Sequence, residues 1–126
     1  MEQTAAAMVA EARSKIANLK PDEVEREHGE DALLIDLREE DELHAQGWIA
    51  DSVWAPHGML ELWADTHSPH HRSEFDPERR LILYCSSGDR SALAAEALLR
   101  MGYQDVAHLD GGLHAWKQSG RPVERP

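Results

Sequence analysis

The chain has 126 residues and one cysteine, with 24 acidic against 13 basic side chains and a net charge of −11. That length holds one domain and no second core, and about two-thirds of its unfolded surface can be buried without staples. A single cysteine excludes an internal disulfide and any Cys-x-x-Cys redox or zinc motif. The charge disfavours nucleic acid and anionic membranes, whose phosphates need clustered Lys and Arg.

No apolar run approaches membrane-spanning length. Met1-Glu2-Gln3-Thr4 lacks the basic start and apolar core of a signal peptide. A cytoplasmic location is the expectation, and a reduced thiol fits it.

Thr4 to Ser14 reads as a helix, rich in alanine, with Met8, Val9 and Ala12 as a thin apolar stripe. Residues 1–15 are therefore set apart as an N-terminal helix, expected to dock on its own domain. Ile16 to Leu19 suits a short first strand. Pro21 opens a helix to about His28, which Gly29 ends. Ala32 to Leu37 is a continuous apolar strand, of the kind buried on both faces in a parallel sheet. Asp36 and Arg38 at its end are expected as a structural ion pair or loop clamp, with a site pair as the alternative. Glu39 to Gln46 reads as a short acidic helix stopped by Gly47. Ser52 to Ala55 is the next strand, closed by Pro56. His57 to Asp65 suits a short helix. The polar loop Thr66–Glu74 holds His67, His70 and His71, but offers no helical i, i+4 pair and no cysteine partner. No metal is expected there.

The stretch Leu81-Ile82-Leu83-Tyr84-Cys85-Ser86-Ser87-Gly88-Asp89-Arg90-Ser91 carries the chemistry. Four apolar residues make a buried strand, a small polar loop follows, and Ser91 to Met101 reads as a helix. The only cysteine thus sits where a strand ends and a helix begins. Loop amides converge at such a place, and the helix N-terminus adds partial positive charge. The setting is an anion cradle whose first residue is a thiol, and it favours the nucleophilic thiolate. A lone cysteine at a strand end is most often a small buried hydrophobe. The loop argues otherwise: Ser86, Ser87 and Gly88 let backbone close on a ligand, Gly88 tolerates positive φ, and Arg90 brings a permanent fork of donors.

Beyond that helix, Gly102 is a C-cap, Val106 to Leu109 a fifth strand, and Gly111-Gly112 a sharp turn beside the Cys85 loop. Leu113 to Gln118 is a last helix, with Trp116 expected in the core. Residues 16–120 form the main domain, and residues 121–126 a loose tail. Alternating short strands and helices indicate an α/β fold with a parallel sheet. The active loop of such a sheet lies at its carboxyl edge, where Cys85 falls.

The Cys85 segment resembles the active-site loop of rhodanese domains, which run strand, Cys, two residues, Gly, often Arg-Ser, helix. Leu33-Leu34-Ile35-Asp36-Leu37-Arg38-Glu39 is similar to the family's strand ending in Asp-x-Arg. Gly47-Trp48-Ile49-Ala50-Asp51-Ser52 with Pro56 resembles its Gly-His-Ile-x-x-Ala…Pro signature, with Trp48 where His is usual and Ser52 where Ala is usual. Leu109-Asp110-Gly111-Gly112-Leu113-His114-Ala115-Trp116 is similar to its closing Gly-Gly-x-x-x-Trp. The resemblance spans about Leu33 to Trp116. It implies a single rhodanese-like domain with a parallel five-stranded sheet flanked by helices.

The resemblance also implies a sulfurtransferase without a cofactor. Cys85 would attack a sulfane sulfur, as in thiosulfate, become a persulfide and pass the sulfur to cyanide or a thiol. Arg90 would act beside it. Ser86, Ser87, Gly88, Asp89 and Ser91 would surround the ligand, and Asp36, Arg38, Gly111 and Gly112 would support them. The loop near the histidines would lie at the mouth, making His57, Trp63 and Arg72 candidates for touching substrate. Asp89, on a protein of net charge −11, would make the thiosulfate dianion a weak donor. One alternative is a noncatalytic module, or a carrier taking persulfide from a sulfur-relay protein. A Cys-dependent phosphatase or arsenate reductase of the same fold is the other. Their loop places five residues between Cys and Arg, and here four stand between Cys85 and Arg90.

Overall fold

Leu33–Asp36 and Leu81–Tyr84 lie side by side in the middle of one sheet, and every residue of both is buried. The structure is a computed structural model describing residues 2–126. Its five strands are β1 (Ala17–Leu19), β2 (Leu33–Asp36), β3 (Val53–Trp54), β4 (Leu81–Tyr84) and β5 (Val106–Leu109), in the spatial order β1-β5-β4-β2-β3. All pairings are parallel; Leu33 meets Leu81, Ile82 meets Ala107, and Ile35 meets Val53.

Alternation along each strand divides the apolar residues between two cores. Leu33, Ile35, Leu81 and Leu83 face Leu60, Phe75 and Leu98 on one side. Leu34, Ile82 and Tyr84 face Val24, Leu113 and Trp116 on the other. Both faces are covered, so the central strands need no polar face; this is why they read as unbroken apolar runs.

The covering helices are α1 (Ala5–Lys15), α2 (Pro21–His28), α3 (Glu40–Gln46), α4 (Leu60–Ala64), α5 (Asp89–Arg100) and α6 (Gly112–Gln118). Thr4 caps α1, its hydroxyl accepting the Ala7 amide at 3.1 Å. The helix docks on its own domain against α5, buries Ala12, and is tied by Arg13–Asp110 at 2.7 Å and Lys15–Glu96 at 3.0 Å.

Three local expectations are corrected. The His57–Asp65 helix is a 3₁₀ turn, His57–Met59, followed by the short α4. The central helix begins at Asp89 rather than Ser91, because Gly88 at φ +105° turns the chain straight into it. The tail is not loose. Glu124 donates to the Trp48 carbonyl at 2.7 Å and accepts the Trp48 amide at 3.0 Å. The Trp116 indole N–H also donates to the Pro122 carbonyl at 2.9 Å. The tail thus satisfies Trp48 backbone groups that no neighbouring strand reaches.

Candidate active site

Cys85 follows β4 directly and is buried. The chain then turns back over its sulfur. The Gly88 amide donates to Sγ at 3.2 Å and the Ser91 amide at 3.3 Å, while the Ser91 hydroxyl lies 3.5 Å away. Two amides and the N-terminal end of α5 therefore face the atom that would carry negative charge as the thiolate, and to which the charged outer sulfur of a persulfide would be bonded. A Cβ at Gly88 would lie 3.2 Å from the Gly111 nitrogen.

A second helix start grips the loop from outside. The Leu113 amide donates to the Cys85 carbonyl at 2.8 Å, and the His114 amide to the Ser86 carbonyl at 3.1 Å. Gly111 and Gly112 bring α6 to this approach. At Gly112, with φ +60°, a Cβ would sit 2.5 Å from the Cys85 oxygen and 2.6 Å from Ser86 backbone.

Arg90 does not stand free. Its Nη1 donates to Oε1 of Glu42 and its Nη2 to Oε2, both at 2.8 Å. The Ser86 hydroxyl donates to the same carboxylate at 2.9 Å. Glu42, on α3, thus brackets both ends of the loop. Hydrogen bonds from Arg90 come first in holding its carboxyl down at about 2, against partial burial, and the Arg90 guanidinium is correspondingly held up. Glu42 stands 48 residues before Arg90; in the sequence it is one acid among several on an acidic helix, and only its capping position at Glu39 + 3 marks it. Asp89 is exposed at the start of α5, and Ser87 is exposed at the mouth.

Asp36 and Arg38 meet in a buried pair beside the loop rather than in it. Arg38 Nε and Nη2 donate to the two Asp36 oxygens at 3.0 and 2.8 Å. The Tyr84 hydroxyl donates to Asp36 at 2.7 Å, and Arg38 donates to the Gly47 carbonyl at 2.6 Å. The group ties the ends of β2 and β4 to the Gly47 turn. Burial pushes the Tyr84 phenol up, so it stays a donor.

Arg72 stacks on Trp63, 3.5 Å from the ring centre, and His71 meets the Phe75 carbonyl at 3.0 Å. His67 points into solvent. His57 shares a cavity with Arg90, Glu39 and Glu61. Among the described residues, no group of three or more His, Cys, Asp or Glu gathers as metal ligands would.

One chain of side chains, buried at Ser91 and His108 and exposed at Asn18, has no counterpart in the loop motif. Ser91 Oγ lies 2.8 Å from Nδ1 of His108, and Nε2 of His108 lies 2.7 Å from Oδ1 of Asn18. Burial pushes the His108 imidazole down to about 4.

Comparison with known proteins agrees with this architecture. The model of the rhodanese-like domain matches residues 20–119. A sulfurtransferase of Allochromatium vinosum is 37% identical over 97 residues, covering 77% of this chain and 82% of the relative. The polysulfide-sulfur transferase homodimer of Wolinella succinogenes superposes with a TM-score of 0.74 at 27% identity, over 95% of this chain and 86% of that one. A Rhodopseudomonas palustris protein of unknown function, described as a possible tyrosine phosphatase, superposes with a TM-score of 0.92 at 35% identity, over 98% of this chain and 96% of that one. The chain belongs to the rhodanese-like domain family.

Proposed function

We propose that the protein is a sulfurtransferase that carries a sulfane sulfur on Cys85. The observation that carries this reading is the sulfur's place: the end of a central strand, with the Gly88 and Ser91 amides donating to it at 3.2 and 3.3 Å. The Cys85 thiolate attacks the outer sulfur of a donor such as thiosulfate. The donor S–S bond breaks, sulfite leaves with the electron pair, and Cys85 becomes a persulfide. Cyanide or a thiol then takes the terminal sulfur, and the thiolate returns. The amides offset the charge at each stage. No cofactor enters. One free cysteine suits a reducing compartment, so the cytoplasm is the proposed setting.

Arg90 bears on the donor. Both of its terminal nitrogens are on Glu42, so an anionic donor must compete with a carboxylate. A less charged donor, such as a persulfide on a small thiol or on a relay protein, is favoured over thiosulfate. Phosphatase chemistry has less support, because the loop has four residues between Cys85 and Arg90 and that arginine is already neutralised.

Intact mass after treatment with a sulfane donor tests the reading. The parent should gain the mass of one sulfur atom and lose it to cyanide, while Cys85→Ser should gain nothing. An adduct on Cys85→Ser, or none on the parent with either thiosulfate or a small-molecule persulfide, defeats it. Turnover of an aryl phosphate would favour the phosphatase instead.

A further inference from the structure

His108 breaks the pattern of its strand. Val106, Ala107 and Leu109 are apolar and buried, and His108 is buried with them. An imidazole so placed without partners would leave two polar nitrogens unsatisfied. Both have partners, and the partners define which nitrogen carries the proton. The Asn18 amide nitrogen donates to the Arg13 carbonyl at 2.9 Å and reaches the Ile16 carbonyl at 3.2 Å. Its oxygen is therefore the atom that faces Nε2, and Nε2 holds a hydrogen. Nδ1 is left bare and accepts the Ser91 hydroxyl at 2.8 Å, closer than that hydroxyl's other acceptor, the Gly88 carbonyl at 3.1 Å. Ser91 Oγ then turns a lone pair to the Cys85 S–H at 3.5 Å.

We propose that Ser91 and His108 form a proton relay for Cys85, with Asn18 fixing the tautomer that lets it work. The inference deepens the sulfur-transfer reading and rests on Cys85 being its nucleophile. The S–H bond breaks and its proton moves to Ser91 Oγ, as the Ser91 hydroxyl proton moves to Nδ1. The sulfur keeps the electron pair. Thiol and imidazole become thiolate and imidazolium, with no change in total charge. The thiolate then faces three donors: the two amides and the Ser91 hydroxyl. The imidazolium offsets the charge of the loaded sulfur and returns the proton when the thiolate is released. Ser91 touches the reacting sulfur; His108 acts through it.

Burial is the largest influence on the ring and opposes its charge, so the imidazole stays neutral until a proton is handed to it from within. Asp110, just past β5, favours the charged ring and Arg13 of α1 opposes it, and these two pair with each other at 2.7 Å. Near the sulfur, Arg90 of α5 is neutralised by Glu42 of α3, whose carboxyl stays ionised down to about 2. Asp89 is exposed at the start of α5. On α6, His114 and Lys117 line the cavity beside Ser86 and Ser87, which makes His114 the rival imidazole.

Alkylation of Cys85 by iodoacetamide, followed by intact mass across pH, tests the relay without any sulfur donor. A thiolate made by losing a proton to water becomes tenfold scarcer for each pH unit of acidification, whereas one made by internal transfer does not. The parent should alkylate at a constant rate between about pH 7 and about pH 5. His108→Gln keeps an acceptor oxygen for Ser91 but cannot take a proton, and its rate should fall roughly a hundredfold over that interval. Ser91→Ala should fall likewise with His108 in place, which covers a failure of His108→Gln to fold. His114→Ala should keep the plateau. A parent rate that falls tenfold per unit, a plateau that survives Ser91→Ala, or one that disappears in His114→Ala would each overturn the relay. A parent that shows the plateau but takes no sulfur from any donor would instead defeat the proposed function and leave the relay standing.

Discussion

Glu42 decides how the loop meets a ligand. Its carboxylate accepts two parallel bonds from Arg90 and a third from Ser86, a charge-assisted geometry stronger than an ordinary surface pair. Glu42→Gln keeps the shape but removes the charge and one acceptor. Arg90 is then free to meet an anion, and Ser86 is held less firmly over the buried sulfur. We expect the Michaelis constant for thiosulfate to fall and alkylation of Cys85 to quicken, each by up to about tenfold, matching about 1.4 kcal/mol of lost bracket. Steady-state kinetics beside an alkylation time course would check both; unchanged values would mean that Arg90 never meets the donor. The carboxylate's use is invisible in sequence, where Glu39, Glu40, Asp41 and Glu42 look alike as the solvated face of a short helix.

At the scale of elements, the site is made by two helix starts meeting over one strand end. The N-terminal end of α5 supplies amides to the Cys85 sulfur, and that of α6 supplies amides to the carbonyls of Cys85 and Ser86. The approach depends on Gly112. Gly112→Ala would place a methyl 2.5 Å from the Cys85 oxygen at φ +60°. The expected loss is about 2–3 kcal/mol of stability, from strain and overpacking together, with slower sulfur loading as the loop shifts. Urea denaturation would measure the first and the mass assay the second; an unperturbed midpoint would show that α6 can retreat. The Gly-Gly pair was legible as a turn beside the loop. Which backbone it must approach depends on how β5 sits against β4, and no local pattern encodes that.

For the whole molecule, His108 links the site to stability. An imidazole in the unfolded chain titrates near 6.5, whereas burial holds His108 at about 4 in the folded protein. Between those values the unfolded chain binds the extra proton, so acidification favours unfolding. Stability is fully present above pH 6.5 and falls as pH drops through about 4, by at most about 3 kcal/mol. Glu42 extends the loss on the acid side, since its folded value of about 2 lies below its ordinary 4.5. Urea midpoints at about pH 7 and about pH 5 should therefore differ more in the parent than in His108→Gln. Equal shifts in both would mean that other groups carry the acid sensitivity.

Composition, apolar runs and glycine punctuation were enough to place the strands, most of the helices, the parallel sheet, and Cys85 at its carboxyl edge, though not the 3₁₀ turn at His57–Met59 or the start of α5 at Asp89. Unbroken runs such as Leu81-Ile82-Leu83-Tyr84 exist only where both faces are covered, so each announces its own burial. The loop motif was likewise local: cysteine, small residues, glycine, arginine and serine lie within one turn of chain. Partners at long range were not legible. Glu42 on Arg90, Asn18 on His108, and Glu124 against Trp48 are separated by 48, 90 and 76 positions, and each side chain or backbone group has an ordinary solvent-facing role in its own neighbourhood. Only the packing of α3, β1 and the tail against the sheet selects those pairs, because a buried polar group takes whichever partner the fold carries to it.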